Sequence, residues 1–135
     1  MDAIEVLNTI RDNASQAYQD RVPEATRSNI EEVGEAIKES EIPREEIYLT
    51  SKNWVSNSGY DKTIKAVNKT LEDLQTDYLD LLLIHQPFGD YYGSYRALQD
   101  LQKDGTLLSI GVSNFDSARL VDLTMNFDIV LQVNQ

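Results

Sequence analysis

Cysteine is absent from the 135 residues. That excludes disulfides and thiol chemistry, and it fits a reducing cytoplasm. Basic residues are scarce: 12 Lys and Arg stand against 23 Asp and Glu, for a net charge of −11. Phosphate contact needs clustered Lys or Arg, so neither nucleic acid nor an anionic membrane surface is expected as a partner. No apolar stretch reaches the roughly 18 residues that a bilayer-spanning helix requires. Met1 is followed by no charged–apolar–small pattern, so no signal peptide is read. Internal repeats, low-complexity tracts and linkers are missing, and the length suits a single domain with a real core. Histidine occurs only once in the chain, and its position is informative.

That histidine ends the run Tyr78-Leu-Asp-Leu-Leu-Leu-Ile-His85-Gln-Pro87. A nearly continuous apolar strand of this kind is buried on both faces, as when helices cover both sides of a parallel sheet. In parallel α/β folds the carboxyl ends of strands are where sites are built. A histidine there could equally cap the strand by hydrogen bonding. Two further runs end in polar groups: Glu46 to Trp54 reaches Lys52, and Leu107 to Phe115 reaches Ser113-Asn114. Helical spacing lies between them. Ile64, Val67, Leu71 and Leu74 share one face over 63–74, and Leu98 and Leu101 share one over 95–102, where Gly105 stops the helix. Asp116 is an N-cap candidate for a helix through Leu120 and Leu123. Strands are expected at about 46–51, 79–84, 107–112 and 130–134. Their alternation with helices predicts parallel pairing through right-handed crossovers. Lys52, His85, Ser113, Asn114 and Gln135 would then fall at one rim. Tyr92 and Tyr95, a helical step apart, read as a packing face rather than a pocket lip.

Four ordered stretches, VGEAIKESEIPREEIYLTSKNW, LQTDYLDLLLIHQP, IGVSNF and VNQ, closely resemble the aldo-keto reductases. The branch that includes the bacterial 2,5-diketogluconic acid reductases is the most similar. The resemblance covers about 29–135. It implies a (β/α)8 barrel that reduces carbonyls of small molecules with NADPH, using a tyrosine, a lysine, a histidine and an aspartate. The lysine matches Lys52 and the histidine His85, which would also touch substrate. Ser113, Asn114 and Gln135 match residues that hold the nicotinamide carboxamide. Trp54 matches an aromatic that lines the substrate pocket. Such residue types suit the chemistry. Hydride arriving at a carbonyl carbon leaves charge on oxygen, which needs a proton and hydrogen-bond donors. A lysine beside a tyrosine lowers the phenol's pKa, and a neutral imidazole can donate an N–H to the carbonyl.

The chain departs from the family pattern upstream. An Asp-Thr-Ala-x-x-Tyr-x-Asn-Glu segment aligned on Asn29 would place the aspartate at Val22 and the tyrosine at Arg27. Tyr18 and Asp20 are close by, but their spacing does not fit. The third to sixth strands of a barrel are expected, a partial barrel of about four parallel strands. The phosphate grip implied by the family lies outside it, so NADPH binding should be weak or absent. Residues 1–28 read as a separate, non-family segment: an amphipathic helix on Ile4, Leu7, Ile10, Ala14 and Ala17, with Asp2 as N-cap candidate, broken near Pro23. A second helix could begin at Glu24 and run to Lys38. Two functions remain open. One is a cytoplasmic carbonyl reductase that is inactive in this form. The other is a non-catalytic α/β domain that folds or self-associates without turnover, with a homodimer formed through open sheet edges.

Overall fold

The computed structural model describes residues 29–128 and 131–135. The helix expected over Ile4–Tyr18, its Asp2 cap and the start of the second helix lie outside these residues.

The described chain alternates helix and strand. Helix α1 spans Asn29–Glu39, β1 Thr50–Asn53, α2 Tyr60–Leu74, β2 Leu79–Ile84, α3 Tyr91–Lys103, β3 Leu107–Val112, α4 Ser117–Asn126 and β4 Val133–Asn134. The strands form one sheet in the order β1-β2-β3-β4, and every neighbouring pair is parallel. This is the α/β arrangement that the ordered apolar runs predict.

Local chemistry sets the helix ends. Asp116 caps α4, its carboxylate accepting from the Arg119 N–H at 2.8 Å. Asp90 does the same for α3, accepting from Gly93 N–H at 2.9 Å. These caps satisfy amide protons that have no partner within the helix. Helix α2 ends in a left-handed Gln75 at φ 55°, and Thr76 N–H returns to Leu71 O at 3.1 Å. At Gly34 an added Cβ would lie 2.4 Å from Asp73 O, so α1 and α2 can approach this closely only at a glycine.

The core lies between sheet and helices. Leu79, Leu82, Ile84, Leu107, Ile110 and Val112 from the strands meet Val67, Leu74, Tyr95, Leu98, Leu101 and Leu123 from the helices. The tyrosines pack as the spacing suggests: Tyr95 is 1% exposed and sits edge-on to Phe127, and the Tyr92 ring lies 5.4 Å from that of Phe127.

Two strands differ from expectation. Strand β1 begins at Thr50 rather than near 46, because Pro43 starts a 3-10 turn over Arg44–Glu46. The Leu49 N–H then donates to the Asp80 carboxylate at 2.8 Å instead of to a strand carbonyl. Arg44 holds that carboxylate at 3.1 Å. The ladder therefore starts late and runs on through Asn53, which puts Lys52 inside the strand rather than beyond it. Strand β4 is paired over Val133–Asn134; Ile129 and Val130 are outside the described residues.

Candidate active site at the carboxyl rim of the sheet

All the strands run the same way, so their carboxyl ends share one edge. Lys52 stands in register with Leu83, Leu83 with Gly111, and Gly111 with Val133. One residue on, Asn53, Ile84, Val112 and Asn134 form the next row. Side chains alternate along a strand. Asn53 turns toward the helices, where its amide donates to Thr63 Oγ1 at 3.1 Å. Lys52 consequently takes the opposite face and is exposed.

His85 follows β2, and its backbone N–H donates to Asn53 O at 3.1 Å. Its ring meets that of Trp54 edge-on, with centroids 4.9 Å apart. The imidazole titrates below its ordinary 6.5, first through burial and then through repulsion by the Lys52 ammonium. It is therefore neutral at neutral pH and able to donate one N–H. Lys52, Trp54 and His85 converge, as the sequence predicts for them.

The next strand ends in a tighter arrangement. Asn114 adopts the left-handed conformation at φ 61°. Its Nδ2 donates to His85 O at 2.9 Å and to Ser113 Oγ at 3.1 Å, and its backbone N–H donates to Gln135 O at 3.0 Å. The carbonyl of His85 fixes the amide's orientation, since an oxygen turned to that carbonyl would be repelled. Both Nδ2 protons are thus used, and Oδ1 is the acceptor that remains. Ser113 is 2% exposed, so its hydroxyl supports Asn114 from within, whereas Asn114 and Gln135 are exposed. A planar primary amide needs one acceptor and one donor; Asn114 Oδ1 and the Gln135 side chain fit such a group.

Two described tyrosines are moved away from acid catalysis. Burial pushes the Tyr95 phenol up to about 12. Tyr60 is also raised, by its hydrogen bond to Asp100. Sequence reasoning missed two features. Phe88 stands 57% exposed shortly after His85; a lone aromatic in a loop carries no periodic signal. Thr63 and Ser94 lie buried against the turn that follows Trp54, bonded to Asn57 O and Gly59 N–H, at positions that read as ordinary polar helix residues. A cleft of about 670 Å³ beside β1 includes Lys52 and Trp54 but not His85, Ser113 or Asn114. It opens mainly along α2 and is not the rim site. Among the described residues no acidic or histidine cluster could hold a metal ion, and no helix is long and apolar enough to cross a membrane.

Known proteins share this fold. The sequence model of the aldo/keto reductase family matches residues 13–135. That match begins inside the segment that the four motifs leave outside the family. A glyoxal reductase from Bacillus subtilis is 43% identical over 132 residues, 97% of this chain and 48% of that protein. A solved structure of a 2,5-diketo-D-gluconic acid reductase B, so described provisionally, superposes with a TM-score of 0.75 at 38% identity, covering 79% of this chain and 39% of that one. A Bombyx mori aldo-keto reductase in complex with NADP superposes at 0.72 and 34% identity, covering 78% and 39%. The chain spans about half the length of the curated relatives it matches. Its four parallel strands and their helices correspond to part of a (β/α)8 barrel.

Proposed function

The chain belongs to the aldo/keto reductase family, and from that premise we propose that its strand rim serves the NADPH-dependent reduction of small aldehydes and ketones. Bound NADPH supplies the hydride. Lys52 and His85 face the carbonyl, with the neutral imidazole donating an N–H to the oxygen and the ammonium stabilising the charge that grows there. Trp54 walls the substrate side. Asn114 and Gln135 hold the nicotinamide carboxamide, with Ser113 keeping Asn114 in place. The observation that carries this reading is the convergence of Lys52, Trp54 and His85 with Asn114 and Gln135 at the ends of neighbouring parallel strands.

These residues alone are expected to give no turnover. The family's tyrosine and aspartate have no counterpart in register upstream of Asn29, and the described tyrosines named above are shifted away from acid catalysis. A second reading follows: a cytoplasmic α/β domain that folds, or pairs with another copy, without catalysis.

Purified protein, NADPH and glyoxal, followed at the nicotinamide absorbance, test the reading. No NADPH consumption is expected, and calorimetry should find binding weaker than micromolar. Steady turnover would overturn the inactive reading. Millimolar NADPH should still move the single imidazole signal of His85 in an NMR spectrum. Failure to move it would remove the rim from cofactor contact.

A further inference from the structure

Behind the rim runs a buried chain of polar side chains. Thr63 is 0% exposed, Ser94 1% and Asn53 6%. Thr63 Oγ1 donates to Asn57 O at 2.9 Å and accepts from Asn53 Nδ2 at 3.1 Å. It also lies 2.9 Å from Ser94 Oγ. A hydroxyl has one proton and two lone pairs. The Thr63 proton goes to Asn57, so Ser94 must donate to Thr63. Ser94 Oγ in turn accepts from Gly59 N–H at 3.0 Å. Every hydrogen-bonding position of Thr63 is filled.

The groups tied together this way are the start, middle and end of one turn. Asn53 precedes Trp54, Asn57 closes the 3-10 helix over Val55–Asn57, and Gly59 leads into α2 with φ 105°. Apart from Thr63 and Ser94 the turn is held by four bonds: Asn57 N–H to Trp54 O at 2.9 Å, Ser58 N–H to Val55 O at 3.1 Å, Ser58 Oγ to Phe88 O at 3.1 Å and a longer one from Asn53 Nδ2 to Asn57 O at 3.3 Å. Trp54 is 50% exposed, so burial does not fix its ring. An exposed edge-to-face pair is too weak to order a loop. The orientation of Trp54 against His85 has to be enforced through the backbone.

We propose that Thr63, acting with Asn53 and Ser94, is a positioning residue that locks the 54–59 turn and so sets Trp54 edge-on against His85 beside Lys52. The proposal deepens the rim reading and rests on it. The saturated hydroxyl fixes the turn before any ligand arrives, so the aromatic wall is preorganised. Asn53 has a double part: its side chain anchors the network, and strand alternation then directs Lys52 to the opposite face.

The chain has one tryptophan and one histidine, so indole fluorescence and the imidazole NMR signal each report a single residue. In the wild type, protonating His85 should quench Trp54, and the imidazole should titrate below the value of an exposed histidine. Thr63→Val keeps the side chain's shape and removes the hydroxyl. It should abolish the pH response of Trp54 and move the His85 midpoint up toward that of an exposed imidazole, and Thr63→Ser should restore both. A folded Thr63→Val protein that keeps the full Trp54 response and the wild-type midpoint overturns the proposal. Should Thr63→Val fail to fold, Ser94→Ala removes one arm of the network and is read by the same outcomes. The two readings fail separately. If NADPH leaves His85 unmoved while the Thr63 dependence persists, the rim reading falls and the positioning role stands.

Discussion

The two sides of the rim are held by different means. On the β3–β4 side backbone groups are the ties: Asn114 N–H bonds Gln135 O, Gln135 N–H bonds Val112 O, and Ser113 N–H bonds Ile84 O. A left-handed Asn114 adds its amide across to His85 O. On the β1 side Lys52 and Trp54 are exposed, and buried side chains behind them do the holding. The β3–β4 side is knitted by the main chain, which leaves little freedom. The β1 side depends on side chains, which can be exchanged without rebuilding the sheet.

The largest expected effect comes from breaking the knitted side. At Gly111 an added Cβ would stand 2.3 Å from Val133 O and 2.7 Å from Leu83 Cδ2. Because the first of these is backbone, strand β4 must move away. Gly111→Val should destabilise the protein by about 3 kcal/mol, the upper range for overpacking, as measured by urea denaturation. It should also loosen the Asn114–Gln135 contact while leaving the Trp54 emission near that of the wild type. Equal disturbance of Trp54 would show that the two sides are not independent.

A smaller effect separates conformation from hydrogen bonding at Asn114. Asn114→Ala loses the bonds to His85 O and Ser113 Oγ and places an alanine at φ 61°. The cost should be about 1–2 kcal/mol. Asn114→Gly loses the same bonds but tolerates positive φ, so its loss should be smaller. If both lose the same amount, the backbone conformation contributes nothing and the bonds are the whole tie.

The smallest effect is a titration on the adjustable side. His85 titrates below 6.5 in the folded chain, through burial first and Lys52 second. Below that pH the unfolded chain binds the proton more readily than the folded one. His85 therefore contributes stability above about pH 6.5 that is lost as the pH falls through that window. Lys52→Met should raise the midpoint toward the ordinary value without reaching it, because burial remains. An unchanged imidazole midpoint by NMR would place Lys52 too far from His85 for the proposed joint action on a carbonyl.

Legibility followed the same division. Strands 79–84 and 107–112 are found where their apolar runs place them, since one polar residue in each, Asp80 and Ser109, does not break a run of apolar neighbours. The Asp116 cap was also plain, because its bond is local. The start of β1 was not: Asp80, held by Arg44, captures the Leu49 N–H from more than thirty positions away, and spacing along the chain carries no trace of that. Thr63 and Ser94 were hidden for a related reason, since a threonine and a serine on helices read as solvent-facing until another helix closes over them.

By itself the sequence determined the order of elements, the parallel sheet and the presence of Lys52, His85, Ser113, Asn114 and Gln135 at one rim. Hydrophobic alternation and strand ends are properties of neighbours in the chain, and in parallel strands they suffice to put those ends on one edge. Only the tertiary structure decided which face Lys52 takes, how Trp54 meets His85 at 4.9 Å, and that Ser113 supports Asn114 from a buried position rather than from solvent. Those outcomes depend on contacts between residues far apart in sequence, and such contacts exist only once the sheet and helices have packed.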